Sequence, residues 1–191
     1  MHLQPVELKV VSKEDVLKIQ EWLQDDEVAE AWFGRYSYGD SAHLAYDPVK
    51  AVSFSENKWK EVFEDSDHKI FSIYSGGEHI GEVHLAIEEA LGDGQLSVLI
   101  GRKDLWHKGL GSSATSKIIE FGFDQLGLFR IWVDVPEYNK KAINLFRQFG
   151  FIHEGTLRQS RPHHGARFDS VVMGILKSEY MDSASVNVSD I

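Results

Sequence analysis

Short apolar runs and stretches in which apolar and polar residues alternate, such as residues 68–75, recur along the chain, and both patterns are typical of β-strands. Glycine-rich turns at residues 76–77 and 92–94 separate three of these stretches, which predicts consecutive antiparallel strands. The predicted strands are residues 6–11, 68–75, 79–87, 95–100, 129–135, 151–157 and 168–176.

Between these strands, apolar residues recur every three or four positions, which predicts amphipathic helices. Ser12 and Asp15 have the spacing of a capping box at the start of the first helix, and Pro48 suits the first turn of another. Residues 34–47 are rich in Gly, Tyr, Ser and Asp and predict an irregular loop. The predicted helices are residues 13–23, 25–32, 48–64, 112–126 and 138–149.

The order of these elements predicts one α/β (α+β) domain over residues 1–181. Its centre is a mixed, mostly antiparallel sheet of about seven strands, flanked by about four helices. The small polar residues of the segment 182–191 predict a disordered tail.

Composition limits the class of protein. The absence of cysteine excludes disulfides, thiolate metal sites and a cysteine nucleophile, and it is compatible with a cytoplasmic location. No apolar run approaches the ~20 residues of a membrane span, so no membrane association is expected. A net charge of −10 argues against nucleic-acid binding. The same charge favours a cationic substrate, although solubility alone explains it equally well.

A glycine-rich segment, Gly109-Leu110-Gly111, follows the fourth predicted strand and opens the helix from residue 112. Glycines let a backbone approach a ligand closely, and the free N–H groups of a helix start attract an anion. Arg102, His107 and Lys108 add positive charge in an otherwise acidic chain. The segment therefore predicts a site for a phosphate or pyrophosphate, with Ser112 and Ser113 as further donors.

Several motifs follow one another between residues 95 and 158. They are Leu96-Ser97-Val98-Leu99-Ile100-Gly101, Leu105-Trp106-His107-Lys108-Gly109-Leu110-Gly111, Phe129-Arg130-Ile131-Trp132-Val133-Asp134-Val135, Asn139-x-x-Ala142-Ile143-x-Leu145-Phe146-x-x-x-Gly150-Phe151 and Glu154-Gly155-Thr156-Leu157-Arg158. In this order they resemble the core of the GNAT superfamily of N-acetyltransferases. The match is closest to the branch resembling ribosomal-protein N-terminal (Rim-type) acetyltransferases.

The resemblance implies that acetyl-CoA is the cofactor and that its pantetheine arm lies along residues 95–100, where this strand splays from the next. It further implies a pyrophosphate bound by backbone N–H groups around residues 107–113, and cofactor contacts from residues of the later helix. The implied cofactor-binding residues are Val98, Leu99, Ile100, Arg102, Trp106, His107, Lys108, Gly109, Leu110, Gly111, Ser112, Ser113, Asn139, Ala142 and Phe146.

Two positions depart from the family pattern. Trp106 stands where many relatives carry Gln or Arg, and Phe146 stands where many carry a tyrosine thought to protonate the leaving thiolate. Because phenylalanine has no proton to donate, the match is better in the cofactor-binding residues than in those that move protons.

Acyl transfer to an amine requires a group that removes a proton, and a donor for the thioester oxygen. Glu82 and His84 are candidate bases because they lie two apart on one predicted strand and so share a face. A backbone N–H near Leu99 is the candidate donor. Trp32 and Tyr36 are the candidate substrate-binding residues, from an aromatic cluster next to the acidic residues of segment 25–30.

The adjacent histidines His163 and His164 lie at a predicted hairpin tip among arginines. Neighbouring histidines do not easily face one ion, so no metal is predicted. Two alternatives stay open for this tip, which are lining the acceptor site and contacting a second subunit of a homodimer.

The sequence thus predicts an enzyme that moves an acetyl group from acetyl-CoA to a primary amine by direct transfer in a ternary complex. No cysteine is present to carry an acyl group. The amine belongs to a protein N-terminus or to a small molecule, and a small-molecule acetyltransferase of the aminoglycoside or polyamine type is the first alternative. A non-catalytic CoA-binding sensor is the second.

Overall fold

One mixed sheet of seven strands organises the chain in the computed structural model, which describes residues 5–32 and 45–186, the last four by their backbone alone. The spatial order is β1-β2-β3-β4-β5-β7-β6, and every neighbouring pair is antiparallel except β4 and β5. The strands are β1 (Glu7–Val10), β2 (His68–Ser75), β3 (Glu78–Glu88), β4 (Asp93–Ile100), β5 (Arg130–Pro136), β6 (Ile152–His163) and β7 (Ala166–Leu176). The predicted fold class is confirmed.

Helices cover both faces of this sheet. Apolar residues of the first four pack on one face, where Ile19 and Val28 cluster with Leu99 of β4. Residues of α5 and α6, such as Ile118 and Ile143, pack in the main core on the other face. The helices are α1 (Lys13–Trp22), α2 (Asp26–Ala31), α3 (Pro48–Ala51), α4 (Glu56–Phe63), α5 (Leu110–Glu120), α6 (Lys140–Gln148) and α7 (Lys177–Val186).

Local sequence signals account for the ends of several helices. Ser12 and Asp15 form the predicted capping box of α1, and Pro48 lies in the first turn of α3. The prediction of one helix over residues 48–64 is wrong, because α3 ends at Ala51 and α4 begins at Glu56. Ser55 accepts a hydrogen bond from the Lys58 N–H and so caps a second helix start.

The end of the chain differs from the expected tail. Helix α7 includes residues 182–186, and the Leu176 N–H donates to Glu179 at its start. Tyr180 packs against Phe123, which lies in the π-helical turn (Phe121–Gln125) that continues α5. Residues 187–191 lie outside the described part of the chain. The described residues contain seven α-helices.

Candidate active site

Strands β4 and β5 are paired over a short distance only. Their parallel ladder joins Asp93 to Arg130, Gly94 to Ile131 and Gln95 to Trp132, and no pairing continues beyond it. Residues 96–100 of β4 therefore have no β5 partner on that edge, although β3 pairs with their other edge. The predicted splay of the two strands is confirmed, and we call the space between their diverging ends the V-shaped cleft.

Helix α5 begins at the open end of this cleft. Gly109 adopts a left-handed conformation with φ of 80°, and no side chain caps the helix start. An uncapped α-helix leaves N–H groups of its first turn free to bind an anion, and its dipole adds partial positive charge there. The start of α5 therefore leaves backbone N–H groups uncapped at the residues for which the sequence predicts a phosphate site.

The positively charged side chains near this helix start differ from those that the sequence predicts. Arg102 forms ion pairs with Asp104 and Glu78, so its guanidinium is engaged on the surface rather than free for a phosphate. Lys108 is exposed. Lys141, on α6, lies with its Nζ 2.8 Å from His107 Nε2, which brings a cation to the loop from a second element. The sequence did not single out Lys141, because only the fold brings α6 to this loop.

Trp106 has a structural explanation. Its indole Nε1 donates to the backbone carbonyl of Ile100 at 2.7 Å, which ties the loop to the last residue of β4. Ser112 is half-buried, whereas Ser113 is buried and its hydroxyl has no hydrogen-bond partner. Among the two predicted serine donors, Ser112 is thus the more accessible.

Asn139 caps α6 at the other side of the cleft. Its Oδ1 accepts from the Ala142 N–H, and its Nδ2 donates to the backbone carbonyl of Ala31 at 2.9 Å. Phe146 is buried in the main core with its ring 5.2 Å from that of Phe151. The residues expected from the resemblance therefore line up on α6, but no hydroxyl is present at position 146.

The candidate bases Glu82 and His84 lie side by side along β3, on the sheet face that α1–α4 cover, and each is only 1% exposed. Glu82 accepts a hydrogen bond from the Tyr46 hydroxyl at 2.5 Å. Burial, and then the Glu82 carboxylate, raises the pKa of Tyr46 well above its ordinary value, so Tyr46 is a hydrogen-bond donor at neutral pH. Neither candidate is a solvated surface residue.

Asp15 forms a second buried polar group on the same face. It accepts hydrogen bonds from the hydroxyls of Ser72 and Tyr74 and from the Ser12 N–H. Burial alone would raise its pKa, but these bonds and the nearby His79 outweigh that effect and lower it. Burial lowers the pKa of His79 although Asp15 opposes this, so burial favours the neutral form of its imidazole.

Of the two candidate substrate-binding residues, only Trp32 lies in the described part of the chain. It is 5% exposed and packs in the cluster that contains Leu99, so its ring belongs to the core beneath β4 rather than to an open pocket wall. Tyr36 lies outside the described residues.

The hairpin tip meets α2 and the end of β5. His163 Nδ1 lies 2.5 Å from Glu30 Oε2, the Tyr138 hydroxyl donates to the same oxygen, and the rings of His163 and Tyr138 stack at 4.0 Å. Burial, and then Glu30, raises the pKa of Tyr138 above its ordinary value. His163 therefore connects the tip to α2, a contact that the sequence did not predict.

The described residues contain neither a cluster that could hold a metal ion nor a helix that could cross a membrane. In residues 5–32 and 45–186, no three His, Asp or Glu side chains are placed to hold a metal ion together. None of the helices in these ranges combines the length and the apolar character that a membrane crossing requires.

The comparison with protein families agrees with this geometry. Residues 6–152 match the model of the acetyltransferase (GNAT) domain, which is most of the chain. The protein therefore belongs to the GNAT acetyltransferases, enzymes that use acetyl-CoA.

The relatives carry more specific names. Spermidine N(1)-acetyltransferase of Escherichia coli (strain K12) is 23% identical over 177 residues, which cover 92% of this chain and 88% of that protein. An uncharacterized N-acetyltransferase of Bacillus licheniformis, p20, is 34% identical over 94 residues, 49% of this chain and 52% of that protein. Among solved structures, spermidine N-acetyltransferase from Vibrio cholerae in complex with CoA and spermine superimposes with a TM-score of 0.75 at 21% identity, covering 92% of this chain and 98% of that one.

Proposed function

We propose that this acetyltransferase transfers the acetyl group of acetyl-CoA directly to a primary amine of a polyamine-like small molecule, within a ternary complex. The observation that carries the cofactor half of the proposal is the splayed β4 strand beside the uncapped start of α5. The absence of cysteine supports direct transfer, because no thiol can carry the acetyl group.

In this proposal, residues 96–100 of β4 hold the pantetheine arm by their free backbone edge, with Val98, Leu99 and Ile100 as the contacting residues. The N–H groups of residues 109–112 and the cations of Lys108 and Lys141 hold the pyrophosphate and its neighbouring phosphate. Asn139, Ala142 and Phe146 contact the arm from α6. When bound, acetyl-CoA supplies the activated acetyl thioester.

The acceptor is proposed from charge and from relatives. A net charge of −10 favours a polycation, since a negative field raises the local concentration of amines. The spermidine acetyltransferases among the relatives support a small-molecule amine over a protein N-terminus, so the Rim-type branch is the less favoured form of the proposal. Tyr36 and the acidic residues of α2 remain the proposed acceptor-side groups.

The test is a thiol-release assay with acetyl-CoA and separate acceptors, namely spermidine, spermine, an aminoglycoside and peptides with free N-termini. We expect release of CoA with the polyamines at rates well above the background hydrolysis of acetyl-CoA. Mass spectrometry of the acetylated amine confirms the product. Turnover of the peptides alone would contradict the polyamine proposal and favour the Rim-type alternative, and binding of acetyl-CoA without turnover of any amine would favour a sensor.

A further inference from the structure

Two histidines on neighbouring strands face each other on the sheet side covered by α1–α4. His68 Nδ1, at the start of β2, lies 2.9 Å from His84 Nε2 on β3, and the two rings are nearly stacked, with centroids 5.1 Å apart and an interplanar angle of 23°. Such a pair shares one proton between two ring nitrogens, so one imidazole donates while the other accepts.

The two rings differ in their access to solvent. His84 is 1% exposed, whereas His68 is half-buried at the edge of the helical cover. The pair therefore leads from the interior of the sheet face to the surface of the protein. A proton that arrives at His84 has an exit through His68 without crossing the apolar core.

Strand β4 connects this pair to the V-shaped cleft. Ser97 is the cross-strand partner of His84, and partners in an antiparallel pair point to the same face, with Cβ atoms about 5 Å apart. Ser97 belongs to the part of β4 that has no β5 partner. Its hydroxyl is buried and has no hydrogen-bond partner, which is costly for a polar group unless a ligand or water completes it. An unsatisfied hydroxyl thus lies between the cleft and His84.

We propose that His84 and His68 form an imidazole relay that carries to solvent the proton released by the acceptor amine, with the Ser97 hydroxyl linking the cleft to His84. The ammonium form of the acceptor loses two protons while its nitrogen forms the new C–N bond and the C–S bond of acetyl-CoA breaks. One proton ends on the departing sulfur to give CoA thiol. The other proton enters the His84 ring, the shared proton passes to His68 Nδ1, and His68 releases a proton from Nε2 to water.

This relay deepens the proposed function but does not depend on which amine is acetylated. Glu82, the other candidate base, is not part of this relay, because its carboxylate already accepts a hydrogen bond from the Tyr46 hydroxyl. His68 is a positioning and relay residue that acts through His84. Its role must therefore be separated from simple support of the His84 ring.

The test compares His68→Ala with His68→Asn under saturating acetyl-CoA and spermidine. The Asn amide can keep a hydrogen bond near the position of Nδ1 but cannot pass a proton through itself, so it preserves support while removing the relay. We expect both variants to lose about 100-fold in kcat, the lower end of the contribution of positioned proton transfer, with an unchanged KM for acetyl-CoA. Added imidazole should restore a large part of the rate of His68→Ala, because the shortened side chain leaves a half-buried space for it.

His153→Asn is the matched control, because His153 is exposed on β6 and hydrogen-bonds only locally to Thr156. Wild-type kcat in His68→Asn, or a slow His68→Ala that imidazole does not rescue while its Tm is unchanged, would overturn the relay. ¹⁵N spectra of the imidazoles provide a readout that is independent of turnover, since the shared proton should couple one nitrogen of each ring. If the wild type acetylates other amines but not spermidine, the polyamine proposal fails, and the relay is tested with the amine that reacts.

Discussion

Replacing Gly111 by tryptophan should abolish acetyl-CoA binding without unfolding the protein. Gly111 lies in the first turn of α5, and a Cβ added there would lie 3.7 Å from Ile100 Cγ1, an ordinary van der Waals distance. A methyl group is therefore accommodated between α5 and β4. A larger side chain has to continue from that point into the V-shaped cleft, where it would occupy the space proposed for the cofactor.

The size of the effect follows from linkage between binding and folding. A ligand at 100 times its Kd stabilises the folded state by about 2.7 kcal/mol, and in a domain of this size each kcal/mol raises Tm by roughly 2–4 °C. Acetyl-CoA at that concentration should thus raise the Tm of the wild type by about 5–11 °C. The shift should vanish in Gly111→Trp and persist in Gly111→Ala, whose own Tm should equal or exceed that of the wild type because alanine favours the helix.

Differential scanning fluorimetry with and without acetyl-CoA measures both shifts, and circular dichroism checks that Gly111→Trp is folded. Isothermal titration then gives the Kd of each variant. A folded Gly111→Trp variant that still shows the wild-type shift would refute the placement of the cofactor against the start of α5. A loss of binding in Gly111→Ala as well would show that the backbone itself, rather than the blocked cleft, is sensitive at this position.

Two further predictions concern single groups. Asp15→Asn should lower the free energy of unfolding at neutral pH by about 2–3 kcal/mol, because hydrogen bonds to a buried carboxylate are worth more than those to an amide. Since the folded-state pKa of Asp15 is lowered, the advantage of the wild type over this variant is present above the ordinary pKa of about 4 and lost as the pH falls through the folded value. Urea unfolding at several pH values measures this, and a difference that does not change with pH would contradict it. Lys141→Ala should raise the KM for acetyl-CoA by about fivefold with little change in kcat, because one charge pair near water is worth about 1 kcal/mol, and an unchanged KM would remove Lys141 from the phosphate site.

The parts of the site that depend on neighbouring residues in the chain were predictable. The glycine turn at Gly109 and the helix after Tyr138 follow from local glycine and helix signals, and the structure has both. The splay of β4 from β5 was expected only from the family resemblance. The break at Ser55 was missed because the apolar spacing continues across it, and only the hydrogen bond to Lys58 shows the new helix start.

Contacts between distant parts of the chain could not be predicted in the same way. Glu82 and His84 were found from their spacing along one strand, but their partners Tyr46 and His68 come from elsewhere, and a single sequence does not show such pairing. Aromatic clustering was equally ambiguous, since it suggested a pocket wall at Trp32, whereas the ring lies in the core.

The short ladder between β4 and β5 has a mechanical consequence. The sheet consists of two slabs, β1–β4 and β5–β7–β6, and within residues 5–32 and 45–186 the backbone ladder that joins them is three residue pairs long. In the proposed placement, the cofactor lies along the free edge of β4 and would take the place of the missing ladder, so that it would join the two slabs as well as react. Under that placement, the stiffness of the sheet between β4 and β5 would depend on whether the cofactor is bound.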